Sequence, residues 1–250
     1  MNRNMTIGGH VVGASLALAL MGGASSALAA PITFFGEDTS TAGVLGTNSA
    51  QARTDFLANL TGVGNEDFES FTSGSSSPLN LSFPGSSGSL SATLTGTGVI
   101  AGSPAVGRFA TSGTKYLEVS TGSFVIDFLD PVSAFGFNGI DIGDFVTNQM
   151  VLKLTNTLGD TTELTVPHSL GIGNFAQATL FFGFYDLAQS FTSIEFTNAG
   201  GGDLFAFDDM VIGDAEQVTP TPVPEPATLA LLGLGLLGLG ARRRLFSRSA

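Results

Sequence analysis

Apolar residues recur along this chain in short runs of period two, separated by clusters of Gly, Ser, Thr and Asn. In Phe124-Val125-Ile126-Asp127-Phe128 the even positions are apolar while Asp127 points to the opposite face, as in a strand buried on one side. Such runs predict strands at 79–83, 89–95, 116–119, 124–129 and 134–142, then at 150–155, 161–166, 178–184, 191–197 and 204–212. Residues 156–160, which contain Gly159-Asp160, predict a hairpin loop between two of them. One segment departs from the rule. Asn48 to Leu60 begins with a polar cap and sets Ala52, Phe56 and either Leu57 or Leu60 at helical spacing, predicting one amphipathic helix packed on the sheets. No long helical pattern alternates with the strands, which argues against a parallel α/β sheet, and no internal repeat stands out. The predicted fold is mainly β: a single jelly-roll-like antiparallel β-sandwich with one short helix.

Two apolar stretches near the ends lack this period. Asn2-Arg3-Asn4 precedes an apolar core from Val11 to Met21 and the small-x-small sequence Ala27-Leu28-Ala29, predicting a signal peptide cut by signal peptidase after Ala29. Cleavage after Ala30 is disfavoured by Pro31, and a retained N-terminal anchor needs a longer apolar run. Toward the other end, prolines 220, 222, 224 and 226 keep the backbone extended. From Leu229 to Gly240 the chain is Leu, Gly and Ala without charge until Arg242, predicting a transmembrane helix. Ala227 to Ala241 would make about 22 Å of helix, short of a comfortable span, so bilayer thinning or snorkelling arginines must supply the difference. The cluster Arg242-Arg243-Arg244 puts the C-terminus in the cytoplasm before processing. The expected organisation is a signal peptide at 1–29, an ectodomain at 30–213, a linker at 214–222 and a membrane segment at 223–248, with a flexible loop at 72–78.

Charge and composition then narrow the chemistry. Residues 30–219 hold 20 Asp and Glu against Arg53, Arg108, Lys115 and Lys153, a net charge of −16. Such a surface repels nucleic acid and anionic lipid, excludes nucleic acid as a partner, and attracts divalent cations. The chain has no cysteine, so thiol catalysis, zinc–thiolate sites and disulfides are excluded. His10 leaves with the signal peptide, and the remaining His168, in Pro-His-Ser, reads as an exposed loop residue unable to build a multi-histidine metal site. Nucleophile-elbow, zinc-protease, P-loop and dinucleotide patterns are missing. With no Trp and two Tyr, the chain is poorly equipped to stack sugar rings, and its 21 Phe read as core filling.

The tail, Val223-Pro224-Glu225-Pro226-Ala227-Thr228 followed by an apolar helix and Arg242-Arg243-Arg244, resembles the PEP-CTERM sorting signal of Gram-negative bacteria. The resemblance implies recognition by an exosortase-type protease-transpeptidase, with Pro224, Glu225 and Pro226 read as the motif and Arg242, Arg243 and Arg244 fixing topology. It implies delivery to the outer surface or extracellular matrix of a cell that makes exopolysaccharide. A plain C-terminal anchor would explain the helix and the arginines but not Pro-Glu-Pro.

One metal site is expected. A regular strand through Phe205-Ala206-Phe207-Asp208-Asp209-Met210-Val211 turns Asp209 the same way as Phe205, Phe207 and Val211, and a carboxylate there needs a partner. Structural Ca²⁺ held by Asp67, Glu69, Asp208 and Asp209 is one solution, and bonds to backbone amides are another. The early Phe-Glu and late Phe-Asp-Asp segments also resemble those of PEP-CTERM ectodomains and calcium-binding jelly rolls. The acidic stretch Asp141-Ile142-Gly143-Asp144 reads as a β-turn. The expected function is therefore an exported, non-enzymatic, structural or adhesive module associated with polysaccharide. Its rival is an extracellular polysaccharide-modifying hydrolase working through two carboxylates.

Overall fold

The computed structural model describes residues 30–39, 43–120, 124–142, 149–168, 177–197 and 204–220. In chain order the elements are β1 (Ile32–Asp38), α1 (Thr47–Leu57), β2 (Asn65–Glu66), β3 (Leu79–Pro84), β4 (Ser89–Gly96), β5 (Val99–Ala101), β6 (Tyr116–Ser120), β7 (Phe124–Val132), β8 (Ala134–Ile140), β9 (Met150–Asn156), β10 (Thr161–Val166), β11 (Thr179–Tyr185), β12 (Phe191–Thr197) and β13 (Leu204–Gly213). A 3-10 turn at Ala215–Gln217 ends the sequence of elements. They form two antiparallel sheets. Sheet one runs β1-β11-β8-β13-β6-β5, with β2 also paired to β13, and sheet two runs β10-β9-β12-β7-β4-β3. This is the jelly-roll-like sandwich that the period-two runs predict.

The interior is built from phenylalanine. Phe124 of β7 and Phe196 of β12 stack with ring centres 4.2 Å apart. Phe137 of β8 and Phe207 of β13 reach them from the other sheet, edge-on or tilted, at 5.1–5.5 Å. Phenylalanine suits this place because it brings a large apolar area and no polar group that would need a partner.

The two outer faces differ. Strands β8 and β11 are buried on both sides, because α1 lies over the half of sheet one nearest β1. Gly136 and Gly183 pair across β8 and β11, and a methyl group on either would come within 2.9–3.1 Å of the Phe56 ring. The missing side chains make a trough for that ring, which also meets Phe34 and Phe181 at 5.7 and 5.5 Å. The helix runs 47–57 rather than 48–60, and its cap comes from outside it. The Asp38 carboxylate on β1 accepts from the Asn48 N–H at 3.1 Å, the Ser49 N–H at 2.8 Å and the Ser49 hydroxyl at 2.7 Å, satisfying amides that open the helix. Over the other half of sheet one lies the segment before β6, where Phe109, Tyr116, Ile140 and Ala206 form a small outer cluster.

Nothing comparable covers sheet two among the described residues. Its strands alternate buried with half-buried or exposed positions, as in β3, β4, β9 and β10.

The C-terminal exit is fastened down. The Asp214 side chain accepts from the Gln217 N–H at 3.0 Å, the Gln217 amide donates to the Gly62 and Pro84 carbonyls, and the Thr219 N–H donates to the Asn59 carbonyl at 2.8 Å. No described helix is long and apolar enough to cross a membrane. The expected signal peptide and the apolar segment at 229–240 lie outside the described residues.

Candidate functional site

The two carboxylates singled out on the last strand sit at a β-bulge. On β13, Asp208 pairs with Asn138 and Val211 with Gly136, so one extra residue is inserted opposite β8. Asp209 takes the left-handed conformation there, with φ of 50°. The bulge reverses the phase of the strand. Phe205 and Phe207 enter the main core before it, Met210 and Ile212 after it, while Ala206 and Val211 belong to outer clusters. Asp209 therefore does not share a face with Phe205 and Phe207, as a regular strand would require. It turns outward with Asp208, beneath the segment that precedes β6.

Protein donors surround both groups. Asp208 Oδ2 accepts from the backbone N–H groups of Thr111 and Ser112 at 2.7 and 3.0 Å, and Oδ1 from the Asp209 N–H at 2.8 Å. Asp209 Oδ1 accepts from the Asn65 amide at 2.7 Å and the Ser112 hydroxyl at 2.9 Å. Its Oδ2 lies 2.9 Å from the Thr111 hydroxyl and 3.2 Å from the Asn138 amide nitrogen. Burial first, and the neighbouring Asp209 charge second, push the Asp208 carboxyl up to about 7, against the pull of its three N–H donors.

Asp67 and Glu69 do not join them. Asp67 accepts the Glu69 N–H at 3.1 Å. Glu69 accepts from the Thr114 N–H at 2.6 Å and the Lys115 N–H at 2.5 Å, and these bonds hold its carboxyl below the usual range. Among the described residues no three acidic or histidine side chains gather at metal-binding distance. The four residues thus sit at two stations along one segment: Asp208 and Asp209 hold Thr111–Ser112, and Glu69 holds Thr114–Lys115. The residues of the 65–69 stretch that do reach β13 are Asn65 and Glu66, which pair with Val211 and Met210. Burial raises the Glu66 carboxyl. Asn65, Thr111, Ser112 and Asn138 complete the cluster and were not singled out from sequence. Only Asn138 left a signal there, as an amide inside the apolar run Ala134–Ile140.

The second acidic stretch begins as a turn: Asp141 has φ of 64° and lies 3.9 Å from Arg108, which bonds Glu118 at 2.8 Å. Residues 143–148 of that stretch lie outside the described residues, as do Pro224, Glu225, Pro226, Arg242, Arg243 and Arg244. Two clefts of the described sandwich bear on the chemistry. One, of about 480 Å³, sits among the loops that follow β7, β9 and β11 and is lined by Asn156, Gln189, Ser133, Leu158 and Leu187 with no carboxylate. The other, of about 490 Å³, lies between β1 and α1 and includes Glu37 and Asp55.

Residues 222–244 match the family model described as the PEP-CTERM protein-sorting motif. The chain carries a PEP-CTERM sorting signal. The motif implies export and processing by an exosortase. No curated protein matches the chain. Among solved structures it is similar to the K2 cleaved adhesin domain of Lys-gingipain, at 15% identity over 60% of this chain and 97% of that one, with a TM-score of 0.39. It is also similar to the C-terminal family 22 carbohydrate-binding module of Clostridium thermocellum Xyn10B, at 14% identity over 64% and 98%, with a TM-score of 0.35. A family 11 carbohydrate-binding module from Clostridium thermocellum is similar at 14% identity over 62% and 96%, with a TM-score of 0.30.

Proposed function

We propose that this chain is a surface-delivered module that binds polysaccharide without cleaving it, in the matrix or on the outer surface of a Gram-negative, exopolysaccharide-making cell. The observation that carries the reading is the PEP-CTERM motif at 222–244. The open polar face of sheet two supports it, because a sandwich covered on one side and open on the other has one broad surface to offer. In this reading residues 1–29 are removed on export, 30–213 are the passenger and 214–222 the linker. Pro224, Glu225 and Pro226 are the recognition element, the apolar segment holds the chain in the membrane during transfer, and Arg242–Arg244 fix its topology.

Intact mass of the protein recovered from the native cell surface or medium tests the address. The expected product lacks residues 1–29 and the tail beyond Pro-Glu-Pro. Replacing Pro224→Ala together with Glu225→Ala should leave the tail attached and the protein in the membrane. Unchanged processing in that variant would end the sorting reading in favour of a simple anchor.

A hydrolase is the second reading, and the cleft holding Glu37 and Asp55 is the observation in its favour. The expectation here is that the chain releases no reducing ends from polysaccharide. Release that disappears in Glu37→Gln would establish the enzyme instead.

A further inference from the structure

The outward side chains of sheet two fall into register across all six strands. Thr161 pairs with Thr155, Thr155 with Ser193, Ser193 with Asp127, Asp127 with Thr93, and Thr93 with Asn80. All six are half-buried or exposed. They form one continuous row at right angles to the strands, about 24 Å long at the usual strand spacing. Apart from a 3.5 Å contact between Thr93 and Asn80, no described side chain bonds to another within the row. The Thr155, Thr161 and Ser193 hydroxyls therefore each keep a donor and an acceptor for an outside partner, and Thr93, which donates to Asn80, keeps an acceptor. At the β3 end the row opens into a groove of about 360 Å³, floored by Asn80, Ser82, Ser91 and Thr93 and walled by Leu129, which is 79% exposed.

We infer that this row is the saccharide-binding surface, and that it takes an extended, neutral, hydroxyl-rich glycan lying across the strands. The inference rests on the polysaccharide-binding reading above and names its site. Three observations select the occupant. First, the row offers hydroxyl, amide and a single carboxylate, which pair with sugar hydroxyls in either direction, while Leu129 supplies an apolar wall for the C–H face of a ring. Second, the flanking row places Lys153 between Glu163 and Glu195, with a 3.9 Å ion pair to Glu195. The cation is thus matched by acids on both sides, and a face that also carries Asp127 repels polyuronates and phosphate polymers. Third, the row has no aromatic, Met or Arg anchor of the kind that fills the centre of a protein–protein interface. Neighbouring strands each meet a fresh stretch of the polymer, so contacts that are weak singly add along the chain.

The test is native affinity electrophoresis of the full chain in mild detergent, through gels holding a soluble neutral glucan or xylan, a polyuronate, or no polymer. The expected result is retardation by the neutral polymer alone. The triple variant Thr93→Val, Thr155→Val, Thr161→Val keeps the β-branched shape and removes only hydroxyls, and should weaken retention about tenfold. Ser193→Leu, which blocks the centre of the row, should do the same by a different route. Leu158→Ser with Leu187→Ser, at the loop-end cleft, should change nothing. Retention that survives the valine and leucine variants but is lost in the loop-end variant would overturn the row while leaving polysaccharide binding in place. Equal retention by polyuronate would overturn the neutral-glycan assignment. If no polymer retards the wild-type chain, the polysaccharide reading itself fails.

Discussion

Asp208 and Asp209 show how one inserted residue changes the chemistry of a strand. Two adjacent carboxylates turned to the same side are held close by the bulge, and Asp208 keeps its proton far above the ordinary range. Its folded value of about 7 lies above the ordinary aspartate value of 3.8. Between those limits the native state binds a proton that the unfolded chain does not, so this group's stabilising contribution is full below about pH 4 and is lost as pH rises through 7. Glu66 is shifted in the same direction. We expect a lower melting temperature at neutral pH than near pH 5, and a flatter profile in Asp208→Asn. An unchanged profile in that variant would show that Asp208 is not the group responsible. The structural calcium expected from sequence becomes a proposal for this same pair. Asn138 Oδ1, buried and without a hydrogen-bond partner among the described residues, is the further oxygen beside it. A bound cation would raise the melting temperature on adding Ca²⁺, chelator would reverse the gain, and Asp209→Ala would erase the difference. The carboxylates were visible in the sequence, but their direction was not. A bulge leaves no mark on a period-two count, and Thr111 and Ser112 look like any polar loop residues until the fold brings them over β13.

At the scale of elements, the glycine trough and Phe56 carry the helix. Phe56 is fully buried, and Phe56→Ala should cost about 3–5 kcal/mol in a denaturant melt. Gly183→Ala should cost about 1–3 kcal/mol by crowding the Phe181 and Phe56 rings. Combined, the two should cost less than their sum, because the added methyl then has part of the vacated space. Strict additivity would show that the ring and the trough are not coupled. All ten strands predicted from period two are present, since strands of five or more residues with one face in a phenylalanine core carry a strong signal. Strands β2 and β5 have two and three residues, too few for any period to register. β1 escaped for another reason: as an edge strand with a mostly solvent-accessible pattern, it shows no clean alternation. The helix was legible from Ala52 and Phe56, but its cap was not, because Asp38 stands ten residues away on another element.

For the whole molecule, the contrast between the covered and open sheets organises function. Sheet one spends its outer face on α1 and on the segment fastened by Asp208, Asp209 and Glu69. Sheet two has an outer face that no other described residues cover. That division was not legible from sequence, because the row at its centre is assembled from six strands spread between Asn80 and Ser193. The sorting signal was legible in the sequence, because Pro-Glu-Pro, the apolar run and the arginine cluster are contiguous and need no fold to be read.

The position of β13 has a mechanical meaning. The described fold begins on an edge strand but ends on a central one, bonded on one side to β8 and on the other to β6 and β2. A load drawn through the tail enters β13 along its own axis and meets the ladders on both flanks in shear, so many bonds must yield together rather than unzip singly. Before reaching them it must tear away the Gln217 and Thr219 fastenings to the 59–62 segment. A pull on the C-terminal end of the sandwich is thus met at a central strand held on both flanks.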